Sequence, residues 1–192
     1  MKSRNRYFEL RDDMSFPGRW VLEQTGLDHQ GRQQDLWQFT RGTPLVLEGR
    51  PVLDITHPGQ ALEFSLTAMG TPVVAQRVVS LLEPLGLQQE VQFIPAQVEG
   101  RPEPYFILNA LRLIRCIDDE RCEEVRFWEP RHGDPKKVGQ YRNVVGLKVD
   151  PAKVGDTHVL RPWGWRGTLI VSERIKQLME QAGIAGTKFV EV

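Results

Sequence analysis

The stretch Tyr105-Phe106-Ile107-Leu108-Asn109-Ala110-Leu111-Arg112-Leu113-Ile114-Arg115-Cys116-Ile117-Asp118 decides how this chain is read. Its branched and aromatic residues predict two strands, over 104–108 and 111–117. The second runs directly into an acid-rich segment, Asp118-Asp119-Glu120-Arg121-Cys122-Glu123-Glu124. No constellation of catalytic type lies nearby. An apolar strand feeding a carboxylate cluster, without chemical apparatus, points to a protein that binds something rather than converts it.

Upstream, Val91 to Val98 reads as another strand. Before it, Val74, Val78, Leu81, Leu82 and Leu85 recur at helical spacing. Thr71 is placed to cap that helix and Pro72 to occupy its first turn. Pro84 and Gly86 stop it, so the spacing predicts a helix over about 72–83. Nearer the start, residues 6–11 and 20–23 are extended, with a turn at Pro17-Gly18 between them. Residues 25–34 read as a polar loop, 36–39 and 44–47 as short extended pieces, and His57-Pro58-Gly59 as a turn.

Downstream, residues 125–128 continue the extended theme. The charged segment 129–142, with Pro130, Gly133, Pro135 and Gly139, is the expected long surface loop. Strands are expected over 144–149, 157–160 and 168–171, with a helical turn at Asp150-Pro151. Ser172 then caps a second helix over 173–182, whose buried stripe is Ile175, Leu178, Met179 and Ala182 and whose stop is Gly183. A last strand covers 187–192. Many short strands with two main helices, and no regular β–α alternation, predict an α+β fold. The strands are expected to be mostly antiparallel, in a single domain over 1–192.

The composition is ordinarily globular, with 40% hydrophobic and 26% charged residues. With 25 basic and 25 acidic residues the formal net charge is zero, so the global signature of a nucleic-acid binder is missing and direct nucleic-acid binding is not expected. The charge is uneven, however. Residues 51–100 hold Arg77 against Asp54, Glu63, Glu83, Glu90 and Glu99, and residues 118–124 hold five carboxylates against Arg121. The opening Met1-Lys2-Ser3-Arg4-Asn5-Arg6 is basic but lacks the apolar core of a signal peptide. No apolar run approaches membrane-spanning length. A cytoplasmic protein without membrane contact is the simplest expectation.

Cys116 and Cys122 match no common zinc or redox spacing, and a cysteine on an apolar strand is usually buried and inert. His29, His57, His132 and His158 are scattered, and no metal pair, phosphate loop or G-x-S-x-G elbow is present. No metal and no cofactor are therefore expected. The candidate contacts are the acids Asp118, Asp119, Glu120, Glu123 and Glu124, together with Trp163 and Trp165 of the Pro162-Trp163-Gly164-Trp165-Arg166 segment. Clustered carboxylates steer a basic partner, but they also serve as plain turns and helix starts. Tryptophans in a loop anchor an interface when exposed and cover a core when packed. Trp20, Trp37 and Trp128 lie in strand patterns and are expected in the core.

Phe106-Ile107-Leu108-Asn109 followed by Ile114-Arg115-Cys116-Ile117-Asp118 resembles the central motif of a bacterial immunity protein family, immunity family eleven of polymorphic toxin systems. Leu160-Arg161, Leu169-Ile170-Val171-Ser172-Glu173 and Gly183-Ile184-Ala185-Gly186-Thr187-Lys188-Phe189 are similar to it as well. So are Tyr7-Phe8-Glu9-Leu10 and Val91-Gln92-Phe93-Ile94-Pro95, which extends the resemblance over nearly the whole chain. The family pattern often continues to a serine after Asp118, where this chain has acids and Cys122. That departure and the double-tryptophan segment suit a partner-specific surface. The resemblance implies a non-catalytic protein that binds and neutralises a cognate protein toxin. The acidic segments would suit a basic toxin such as a nuclease. Two other readings stand beside it: a regulatory or adaptor module that binds another protein, and an enzyme whose site is assembled from distant residues.

Overall fold

The computed structural model describes residues 5–192; Met1 to Arg4 of the basic opening segment lie outside the described residues. In chain order the strands are β1 (Tyr7–Asp12), β2 (Val21–Asp28), β3 (Pro51–His57), β4 (Phe64–Leu66), β5 (Pro72–Ala75), β6 (Val91–Val98) and β7 (Tyr105–Ala110). They continue with β8 (Leu113–Ile114), β9 (Glu124–Phe127), β10 (Tyr141–Val145), β11 (Val159–Pro162), β12 (Ile170–Ser172) and β13 (Thr187–Glu191). The helices are α1 (Gln76–Leu82), the single turn α2 (Pro151–Val154) and α3 (Glu173–Gln181). The fold is α+β, as expected.

Three sheets form, in the orders β13-β1-β12-β11-β8, β2-β3-β6-β7-β5-β4 and β10-β9. Pairing is antiparallel except for β11 with β8 and β3 with β6. Alternation along the strands sorts side chains into three apolar clusters, because successive residues point to opposite faces. Phe8, Val159 and Val171 of the five-stranded sheet meet Val74 and Leu108 of the six-stranded sheet in the first cluster. Val78 and Leu82 of α1 and Ile175 and Met179 of α3 fill that same space. Their neighbours Val73 and Ile107 face the other way, onto Trp20 and Leu53 in the second cluster. Tyr7, Leu160 and Ile170 face outward from the five-stranded sheet into the third cluster, which Cys116, Val149 and Val154 cover.

Several sequence expectations change here. Pro72 opens strand β5 rather than a helix, and α1 begins only at Gln76 without a side-chain cap. The reason is burial on two faces: Val73 and Val74 pair with Ile107 and Phe106 and are needed by two different clusters, which only a strand can serve. Residues 21–28 form one strand into the expected loop, and β3 and β4 are additional. The extended piece at 36–39 is replaced by a 3-10 turn over Gln38–Thr40. Within 111–117 only Leu113–Ile114 is a strand, and the expected loop 129–142 ends at β10, which spans Tyr141–Val145 rather than 144–149.

The signature residues act structurally. The Asn109 side chain donates to Thr43 O at 2.9 Å and to Gln92 Oε1 at 3.1 Å, while Gln92 bonds both polar groups of the Leu45 backbone. This ties the 43–45 segment to the sheet. Cys116 is fully buried, and burial pushes its thiol up to about 12. Cys122 is half-buried and free, its thiol also raised by burial. A thiol held up in this way carries little thiolate near neutrality. Among the described residues no helix is long and apolar enough to cross a membrane.

Candidate functional site: a two-sided face around Tyr141

The segment 116–150 rises from the third cluster and returns to it. Cys116 O accepts from Asp150 N at 2.8 Å, and Asp118 N donates to Lys148 O at 2.9 Å. Asp118 O then accepts from the amides of Arg121 and Cys122, both at 3.1 Å, closing a turn. Its carboxylate lies 3.6 Å from Arg121. Asp118 is therefore a half-buried turn residue. Glu124, on β9, is paired with Arg126 at 2.5 Å and accepts from Asn143 at 3.3 Å. The stem of Glu123 lies against Gly146, where a Cβ would meet its Cγ at 2.4 Å, and its carboxylate has no ion pair among the described residues. Glu120 is exposed, likewise without an ion pair.

Asp119 has a specific role. Its Oδ1 accepts from the Tyr141 hydroxyl at 2.6 Å. Burial, and then the adjacent carboxylate, hold the Tyr141 phenol well above its usual range. This bond joins the acidic turn to β10, and Tyr141 N donates in turn to Gly164 O at 3.2 Å. Gly164 has φ +79°, and a Cβ there would press on the Tyr141 ring at 3.2 Å, so the tight turn and close approach need glycine.

That turn separates the two tryptophans. Trp163 falls on one side of Tyr141, in a cleft of ≈ 230 Å³ with Arg115, Asp119 and Lys153. The Arg115 guanidinium carbon sits 3.2 Å from the centre of the Trp163 ring. Trp165 falls on the other side, in a larger groove of ≈ 620 Å³ with Trp37, Trp128 and several cations. Both tryptophans are half-buried, as is Trp128, while Trp37 is 57% exposed. Of the three tryptophans expected in the core, only Trp20 is wholly there. Trp37 precedes the 3-10 turn in a run of polar neighbours, Gln33-Gln34-Asp35-Leu36-Trp37-Gln38, and that polarity was the available sign of exposure.

Arg161 shapes this loop from beneath. It is completely buried, with no carboxylate partner among the described residues, and burial pushes its guanidinium down to about 10. Nη1 donates to Arg166 O at 2.7 Å and Nη2 to Gly70 O at 2.8 Å. The Leu160-Arg161 signature is therefore a clamp on the tryptophan loop.

A second depression, of ≈ 430 Å³, is lined by Arg6, Tyr7, His158 and Ser172. Ser172 stands at the helix start as expected but makes no cap bond; its hydroxyl lies 2.8 Å from His158 Nδ1. The Glu90 carboxylate that could have oriented an imidazole is instead bound by the amides of His158 and Val159, at 2.7 and 2.9 Å. Ser172 is itself 7% exposed. Asp156 and Glu173 also line the depression, but among the described residues no carboxylate is hydrogen-bonded to the imidazole, so the pair lacks the geometry of an activated nucleophile. Among the described residues no three His, Cys, Asp or Glu side chains gather as a metal site.

No curated protein matches the chain. The Leu160-Arg161, 169–173 and 183–189 motifs lie inside the stretch matched by a family model, as does most of the face around Tyr141; the motifs at 7–10, 91–95, 106–109 and 114–118 lie outside it. That stretch, residues 122–192, matches the immunity protein family (Imm11), the family to which the sequence resemblance points.

Proposed function

We propose that this chain is a cytoplasmic, non-catalytic immunity protein that binds one cognate bacterial toxin and neutralises it by covering its active site or an essential surface. The carrying observation is that the family match, over residues 122–192, includes β9, β10 and the tryptophan loop, which border a face rich in aromatic and charged side chains. Asp119 beside that face and the exposed Glu120 and Glu123 of the same acidic turn favour a basic toxin surface, and a nuclease is one such toxin. The covered Ser172–His158 pair does not favour an enzyme.

Co-expression with the product of the neighbouring gene tests the reading. A product toxic alone and tolerated with this chain, through a one-to-one complex, supports it. A stoichiometric but harmless partner would instead establish an adaptor. Within such a complex, replacing Asp119, Glu120 and Glu123 by Asn or Gln should slow association about ten-fold at low salt and flatten its salt dependence. Unchanged kinetics would remove these acids from the interface.

A further inference from the structure

We infer that the groove between Trp37, Trp128 and Trp165 holds an extended acidic segment of the bound toxin, carrying one or two carboxylates beside proline or aromatic residues. The source of that segment rests on the immunity reading; the chemistry of the groove does not. Four cations border it: Arg41, Lys136, Lys137 and Arg166. Two are already matched, Arg41 by Asp35 and Lys137 by Asp134 at 3.3 Å. Lys136 and Arg166 have no ion pair among the described residues. Arg166 is half-buried at the groove wall, where its positive charge has no carboxylate beside it among the described residues, and a carboxylate entering the groove would supply a charge-assisted partner.

The aromatic walls are equally unfilled. Trp37 leaves most of its surface in water, although tryptophan is among the side chains most favoured at the centres of interfaces. Lys137 Nζ lies 4.8 Å from the Trp128 ring centre, which holds that wall in place by a cation–π contact. Flat indole faces around two spare cations fit a proline- or aromatic-containing acidic strand. Stacked bases would also suit the indoles. A nucleic-acid strand, however, brings one charge per nucleotide to a groove with two spare cations, with Asp134 at its wall and Asp119 just beyond Tyr141. The acidic peptide is the better match.

The test uses the full chain without toxin. Fluorescein-labelled proline-rich decapeptides carrying two Glu-Pro, two Gln-Pro or two Lys-Pro steps, and a ten-residue oligothymidylate, are titrated by anisotropy at low and physiological salt. The Glu-Pro peptide should bind at least about ten-fold more tightly than the Gln-Pro peptide, because one charge-assisted contact accounts for that ratio. Arg166→Gln should remove most of that advantage. Trp37→Ala, at an exposed position that leaves the fold intact, should weaken both the Glu-Pro and Gln-Pro peptides. Equal binding of Glu-Pro and Gln-Pro, no binding of either, or preference for oligothymidylate overturns the inference. Peptide binding without toxin protection would sink the immunity reading alone; protection that survives Arg166→Gln together with Trp37→Ala would sink the groove alone.

Discussion

Trp20 and Trp37 belong to the same polypeptide segment and have opposite fates. Trp20 is fully enclosed in the second cluster, with its indole N–H donated to Ser65 Oγ at 3.1 Å and its ring 5.4 Å from that of Tyr105. Trp37 stands mostly in solvent at the mouth of a groove. The acids divide in the same way. Glu90 is bound by two backbone amides, and Glu63 holds Arg77 at 2.8 Å and the Ala185 amide at 3.0 Å. Glu120 and Glu123 are committed to nothing of the kind. Around the large sheets, polar and aromatic groups are consumed by the fold itself. Around Tyr141 some are left over, Trp37, Lys136 and Arg166 among them, and groups with no internal task are those available to a partner.

The strongest way to break this contrast is to truncate the two indoles. Trp20→Ala should lower unfolding free energy by about 3–5 kcal/mol in urea denaturation, whereas Trp37→Ala should stay within about 0.5 kcal/mol. A comparable loss for both would mean that Trp37 is packed after all. Arg161→Met probes the link between the regions. It leaves the carbonyls of Gly70 and Arg166 without their donor and should cost about 1–3 kcal/mol. It should also weaken the acidic peptide, because Arg166 is no longer held; retained peptide affinity at reduced stability would limit Arg161 to the core.

A smaller loss than at Trp20 or Arg161 is expected at Tyr141. Tyr141→Phe loses the bond to Asp119 and should cost about 1 kcal/mol near neutrality. Its pH dependence is more diagnostic. Because the native phenol is held above its usual range, its contribution is complete below pH ~10 and is lost as pH climbs through the raised value. Thermal melts of the parent protein should therefore fall in this alkaline window, and those of Tyr141→Phe should fall less. Identical alkaline slopes would show that this phenol is not perturbed.

Much of the framework was legible along the chain. The stripes of α3, the strands 91–98 and 187–192, and the two helices all follow from periodicity and breakers, which are local properties. The helix start at Pro72 was misread because a Thr-Pro pair looks the same before a helix and at the head of a strand. Only Ile107 and Phe106, far along the chain, select the strand. The candidate site was legible in part: Asp119 and Trp163 line the cleft on one side of Tyr141 and Trp165 the groove on the other. Asp118 bonds within its turn and Glu124 pairs with Arg126, and Trp37, Trp128, Tyr141 and Arg166 gave no joint signal because they lie in separate segments.

By itself the sequence determined an α+β chain with an acidic turn, a tryptophan loop and the signatures of an immunity family, since composition, periodicity and motifs are carried residue by residue. The tertiary structure alone decided that Trp163 and Trp165 part on either side of Tyr141, and that Arg161 clamps the loop from inside. It also decided that Trp37 joins a groove with Trp128 and Arg166. Those outcomes depend on which distant segments meet across the third cluster and the tryptophan loop, and such meetings are set by packing rather than by local pattern.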